Sequence, residues 1–247
     1  VSDWWVTSSA KEQIASREQL LAKLEEQFAT ARRYNNARRD NPDTLVDMKW
    51  ESMRAVLAGD VPIIVNANNA NQIQSAVAFA VRQKVKLIIN GGYDAIYCAE
   101  LLKKHNVPVI LGGVYRTPKR SDDFYDLPYE IPAMLSRLGV QFCISSDGRF
   151  GASMSRNLPY HAGTAAAYGL DKNEALKAVT LYPAQILGVA DRVGSLDIGK
   201  DATLVIANGN ILEIATQVEQ AYIQGRRVDM SDRHKRLWHK YQQRYNK

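Results

Sequence analysis

A strand-like run, Val140-Gln141-Phe142-Cys143-Ile144, leads directly into Ser145-Ser146-Asp147-Gly148. A carboxylate at the carboxyl end of a buried parallel strand stands where α/β barrels place metal-binding and catalytic groups. Asp147 is therefore a candidate catalytic or metal-binding group. The rival reading is a structural acid that caps the following turn. Two other apolar runs also end in polar residues. Residues 62–65 run into Asn66-Ala67, and residues 85–89 run into Asn90-Gly91. A carboxamide can donate and accept hydrogen bonds to a substrate. Its neutral oxygen is a poor zinc ligand beside imidazole. Tyr93, Tyr115, Arg116 and Arg149 fall in loops at the same end of these runs, and His161 follows the Asp147 loop. Each is a candidate substrate contact, with loop packing as the alternative. Gly91-Gly92 and Gly112-Gly113 follow strands without any G-x-G-x-x-G or Walker pattern, so they read as tight turns beside the site.

The elements that must hold these residues alternate. Apolar residues at helical spacing predict a helix over 8–39, with Ile14, Leu20, Leu21, Leu24, Phe28 and Ala31 on one side. A shorter helix is expected over 45–57, closing at Gly59. Four strands follow, at 62–66, 85–90, 108–112 and 140–144. They are separated by helices at 71–83, 94–105 and 130–138. Strands joined by single helices pair in parallel. After Asp147 the pattern predicts helices over 162–168 and 173–187, short β segments at 203–206 and 221–223, and a last helix over 233–245.

The totals exclude several classes. The chain has 247 residues, 46% apolar and 23% charged, an ordinary globular composition. No run of eighteen apolar residues occurs, so no transmembrane helix is expected. No leader-like segment opens the chain, but it begins with Val, so cytoplasmic and exported or periplasmic locations both stay open. Cys98 and Cys143 lack metal-ligand spacing. They exclude a disulfide framework and leave a single bridge open. Cys143, mid-strand, reads as a small core hydrophobe. The formal net charge of +6 is concentrated at one end, because residues 226–247 hold eight Lys/Arg against Asp229 and Asp232. That distribution does not describe a groove for nucleic acid. A solvated helix face, an acidic partner or a membrane surface remain for it. His105, His234 and His239 fall on or beside helices and read as surface or capping residues.

Several further segments follow Asp147 in a fixed order. They are Gly169-Leu170-Asp171-Lys172-Asn173-Glu174-Ala175-Leu176, Thr180-Leu181-Tyr182-Pro183-Ala184, Gly188, and Val193-Gly194-Ser195-Leu196-Asp197-Ile198-Gly199-Lys200-Asp201-Ala202. Together with the Asp147 strand, this series resembles the C-terminal half of the amidohydrolase superfamily, in the branch with imidazolonepropionase-like enzymes and metal-dependent dipeptidases. The resemblance implies an α/β fold: the C-terminal half of a TIM-like (β/α)8 barrel plus part of a small β-sandwich. Residues 1–59 would be a helical lead-in, 60–190 four βα units, 191–230 the sandwich portion and 231–247 a basic helix. The first four barrel strands have no counterpart here. The expected partner is therefore the N-terminal barrel half, as another chain or a cleaved fragment, in a homo- or hetero-oligomer.

The resemblance also implies chemistry. Members use divalent metal, zinc above all, to polarise a carbonyl and acidify bound water. Asp147 matches the final ligand and proton acceptor of that site. Asn66 and Asn90 stand where the family carries two metal-binding histidines. The implied activity is hydrolysis of a C–N bond in a small amide, cyclic amide or peptide, with a weakened or reduced metal site. The alternative is a catalytically inactive homologue serving as a binding or assembly subunit. An unrelated open-sheet ligand-binding domain is a third reading.

Overall fold

The computed structural model describes residues 10–146 and 153–245. Its chain divides into two compact units. One comprises residues 1–63 and 78–87, and the other residues 64–77 and 88–247.

The first unit is helical. Helix α1 spans Ala10–Asp40, and the short helices α2, Met48–Glu51, and α3, Arg54–Ala58, follow it. The sequence predicts one helix where α2 and α3 stand. The chain breaks between them and then ends α3 at Gly59, whose φ of +79° suits a residue without a Cβ. The apolar side predicted for α1 is buried only near its C-terminal part. Phe28 and Ala31 are buried, whereas Ile14, Leu20 and Leu24 are exposed. The Phe28 ring meets Phe79 edge-on, with centroids 5.3 Å apart.

The second unit holds most of the sheet. Strand β1, Ile63–Ala67, is followed by helix α4, Ala70–Gln83, and strand β2, Leu87–Gly91. A 3-10 turn over Ala95–Cys98 runs into α5, Ala99–Lys104, where the sequence predicts one continuous helix. Strand β3, Val109–Leu111, helix α6, Leu127–Arg137, and strand β4, Phe142–Ile144, complete the alternation. The strands lie in the order β1-β2-β3-β4. Strands β2, β3 and β4 pair in parallel, with Asn90 level with Ile110 and Ile110 level with Cys143. Bonds from Ile63 N–H to Lys86 C=O and from Gly92 N–H to Ala67 C=O advance together along β1 and β2, which makes that pair parallel too.

Side chains alternate across these strands. Ile89, Val109, Leu111, Phe142 and Ile144 bury one face. On the other, Ile88 and Cys143 pack with Ile110, Tyr182 and Ile186. Cys143 is thus the core hydrophobe the sequence predicts, and burial pushes its thiol up to about 12. Both cysteines are free, so no bridge joins them.

Beyond β4 come α7, Leu158–Ala167, α8, Lys172–Lys177, and α9, Leu181–Ile186. The sequence predicts α8 and α9 as one helix. Thr180 interrupts it with φ −129° and ψ −79°, and its hydroxyl caps the Leu176 carbonyl at 2.7 Å. The break lets Pro183 sit in the first turn of a new helix, where no N–H is required. Strands β5, Leu204–Ala207, β6, Val218–Ile223, and β7, Arg226–Arg227, form an antiparallel sheet. Helix α10, Arg233–Tyr245, follows them.

Candidate functional site

The carboxyl ends of β1 and β2 bring Asn66 and Asn90 onto one face of the sheet. Asn90 Nδ2 donates to Asn66 Oδ1 at 2.7 Å. Ile64 precedes Asn66 on that face and is 53% exposed, while Ile88, below Asn90, is 1% exposed. The pair therefore stands at the solvent-facing end of an apolar surface. Beside it, Asn68 Oδ1 is buried and has no hydrogen-bond partner. A Cβ at Gly91 would come within 2.7 Å of that oxygen, and Gly91 has φ +110°. The close approach of backbone to amide is what requires glycine here. Sequence reasoning missed Asn68. The Asn66-Ala67-Asn68-Asn69 run was the available signal.

The loops around this rim are tied by a chain of polar contacts. Asn69 caps α4 by accepting from Gln72 N–H, and Gln72 Oε1 accepts from the N–H groups of Asn68 and Asn69. This is a reciprocal capping box. Asp94 accepts from Ala70 N–H, joining the loop after β2 to the start of α4. Arg120 clamps Asp94 through both terminal nitrogens, at 3.0 to 3.2 Å, and also reaches Asp123. Tyr93 donates its hydroxyl to Asp123 at 2.8 Å and accepts from Lys119 N–H. Burial, the Asp123 bond and its charge raise the Tyr93 pKa. Burial works against Asp123, yet the Tyr93 hydroxyl and Arg120 hold its carboxyl below the usual range. Hydrogen bonds to Asp94 raise the Arg120 pKa. Asp94, Arg120 and Asp123 are a second group absent from the sequence reading.

His161, on α7, is 6% exposed. Its Nδ1 accepts from Val114 N–H at 3.1 Å. Burial, then the positive charge of Arg116, lowers its pKa below 6.5. Gly113 passes so close that a Cβ there would lie 2.8 Å from the imidazole. The Tyr115 ring lies 4.3 Å from His161, and its hydroxyl bonds Tyr160 C=O and Thr164 Oγ1, each at 2.9 Å. Tyr115 is half exposed and lines a cavity of about 430 Å³ with Thr164, Lys172, Asn210 and Glu213. Arg116 donates from Nε to Gly113 C=O and lies 5.8 Å from the Tyr93 ring. The structure thus joins Asn66 to Asn90, and Tyr115 and Arg116 to His161 and the β3 loop. Tyr93 is buried at the centre of the polar chain. Asp147 and Arg149 lie outside the described residues.

The amidohydrolase family model matches residues 65–228. This chain belongs to the amidohydrolase family. It is 24% identical over 188 residues to the amidohydrolase tasK of Hapsidospora irregularis, covering 72% of this chain and 18% of that protein. It is 36% identical over 73 residues to the imidazolonepropionase of Syntrophobacter fumaroxidans, covering 29% of this chain and 17% of that one. A crystal structure of an amidohydrolase from Thermotoga maritima superposes with a TM-score of 0.74 at 29% identity, over 84% of this chain and 55% of that chain. The amidohydrolase chain described here therefore spans about half of its structural relative and under a fifth of each of these two sequence relatives. Its parallel sheet fits part of a (β/α)8 barrel.

The family's use of metal can be tested against the rim. Two imidazoles would offer strong nitrogen donors at the ends of β1 and β2. This chain offers two neutral carboxamides that are already hydrogen-bonded to each other. Among the described residues no three His, Cys, Asp or Glu side chains gather as a metal site. His161 directs Nδ1 to a backbone N–H. The described rim does not fit a zinc ligand set.

Proposed function

We propose that this chain contributes the C-terminal barrel half of a hydrolase that cleaves a C–N bond in an amide, cyclic amide or small peptide. The observation that carries this reading is the Asn66–Asn90 pair, set at the ends of adjacent parallel strands within the family-matched region. After Asn90 donates one N–H to Asn66, one N–H remains on Asn90 and two on Asn66. Donors fixed on a rigid strand end can polarise a carbonyl and stabilise the oxyanion that forms on it. Asp147 is assigned as the general base that takes the proton from the attacking water. Tyr115 and Arg116 are assigned to the substrate side of the rim, and Tyr93 to holding their loop in place. The described rim offers no three-ligand set for a divalent cation, so the assignment uses no metal-dependent step.

The upstream barrel half completes the enclosure in this proposal. β1 and β4 are the edges of a parallel sheet, and such edges are normally covered or paired. The exposure of Ile64 beside Asn66 supports a partner on that side. The engagement of Asn66 Oδ1 by Asn90 in place of a ligand also favours a second reading, a binding or assembly subunit without turnover.

The test is amide hydrolysis by the chain joined to its upstream half, with Asp147→Asn as the variant. Loss of a general base lowers the rate by about a hundredfold or more. Unchanged turnover in the variant removes Asp147 from the mechanism. Absence of hydrolysis in the unaltered assembly selects the binding subunit.

A further inference from the structure

Helix α10 carries two features on one short cylinder. At 3.6 residues per turn, Leu237, Trp238, Tyr241 and Tyr245 fall within an arc of about 100°. All four are exposed, Trp238 at 56% and Tyr245 at 72%, and no residue of α10 is buried. Tyr241 and Tyr245 stack one turn apart, with centroids 6.3 Å apart. The same helix holds Arg233, Lys235, Arg236, Lys240 and Arg244 and no carboxylate. Arg233, Lys240 and Arg244 line one edge of the aromatic stripe, and Lys235 stands beyond the other. Asp232 caps the helix by accepting from Lys235 N–H at 2.8 Å, which fixes its start.

We infer that α10 docks this protein on an anionic lipid surface, lying in the plane of the headgroups. The charge supplies the complementarity. A stripe of Trp, Tyr and Leu bordered by cations is the composition of interfacial helices, because the aromatic rings sit at headgroup depth while Lys and Arg reach the phosphates. Thirteen residues make about 20 Å of helix, too short to cross a hydrocarbon core of about 30 Å. No helix among the described residues is long and apolar enough to cross a membrane. An acidic protein partner would use the cations but has less use for three exposed aromatic rings. Lipid is therefore the favoured occupant.

Vesicle co-sedimentation tests this with the whole chain. One set of vesicles contains phosphatidylcholine alone, and the other adds phosphatidylglycerol. Binding is expected to the anionic vesicles only, and to weaken steeply with added salt. Each Lys or Arg near such a surface contributes about a fivefold factor in partitioning. Replacing Lys235, Lys240 and Arg244 by Gln is expected to weaken binding about a hundredfold while leaving thermal unfolding unchanged. Trp238→Ser with Tyr241→Ser should weaken binding at constant charge. Failure to bind anionic vesicles at low salt would overturn the inference. So would full binding by the triple Gln variant, or binding to polyglutamate in place of vesicles.

Discussion

Asn66 and Asn90 each have a neighbour that explains their place. The strand alternation that puts Ile64 and Ile88 on one face also puts the two carboxamides there, and a 2.7 Å bond closes the pair. That much follows from period-two patterning, and the type and position of both residues are legible in the sequence. Their pairing is not, because it depends on the register of β1 against β2. His161 shows the same limit. The sequence marks it as a residue near the site mouth, while the fold buries it and gives its Nδ1 to Val114 N–H. This burial sets a pH dependence. The folded protein holds His161 below its ordinary value of 6.5, so the unfolded chain takes up the proton first. The stability contributed by neutral His161 is fully present above pH 6.5 and is lost as pH falls from there through the folded value. Thermal unfolding measured between about pH 7.5 and 5 should show this loss, and His161→Gln, which keeps an acceptor for Val114, should flatten that part of the profile. An unchanged profile in the variant would remove His161 as the cause.

At the scale of elements, short apolar runs bounded by polar turns place all four parallel strands; the runs of β2, β3 and β4 are buried on at least one face, and that of β1 is half-buried on one. The same reasoning misplaces the break at Thr180. Apolar spacing continues across α8 and α9, and only the local backbone and Pro183 separate them. It also overstates α1, where Ile14, Leu20 and Leu24 keep helical spacing but remain exposed. Loop-to-loop contacts leave no periodic trace at all. Asp94 and Arg120 meet across 26 positions only because parallel strands bring their loops to one rim. Their ion pair is half open on the arginine side, at 40% exposure, with both carboxylates nearly buried. Arg120→Ala leaves those two carboxylates without their cation. It is expected to cost about 2 kcal/mol, toward the low end for a broken buried pair because the arginine is solvated. Denaturant unfolding gives that figure, and hydrogen exchange should show the loss of protection concentrated in residues 112–126. A cost near zero would mean that the clamp does not hold the loop.

The whole molecule is a partial amidohydrolase barrel with an added antiparallel sheet. Its C-terminal segments carried enough family pattern to be read from sequence, because glycine-dependent turns such as Gly194, at φ +97°, and Gly199, at φ +91°, constrain which residues are tolerated. The four described parallel strands leave β1 and β4 as edges, which is the basis for proposing a partner half. What this chain does at its rim rests on donor chemistry. Two imidazoles at these strand ends would be strong metal donors, whereas the two carboxamides are poor ones. The direct test is the divalent metal content of the chain joined to its upstream barrel half, measured by elemental analysis after equilibration with zinc. A carboxamide rim predicts one equivalent or none, rising when Asn66 and Asn90 are both replaced by His. Two tightly held equivalents in the unaltered protein would contradict it.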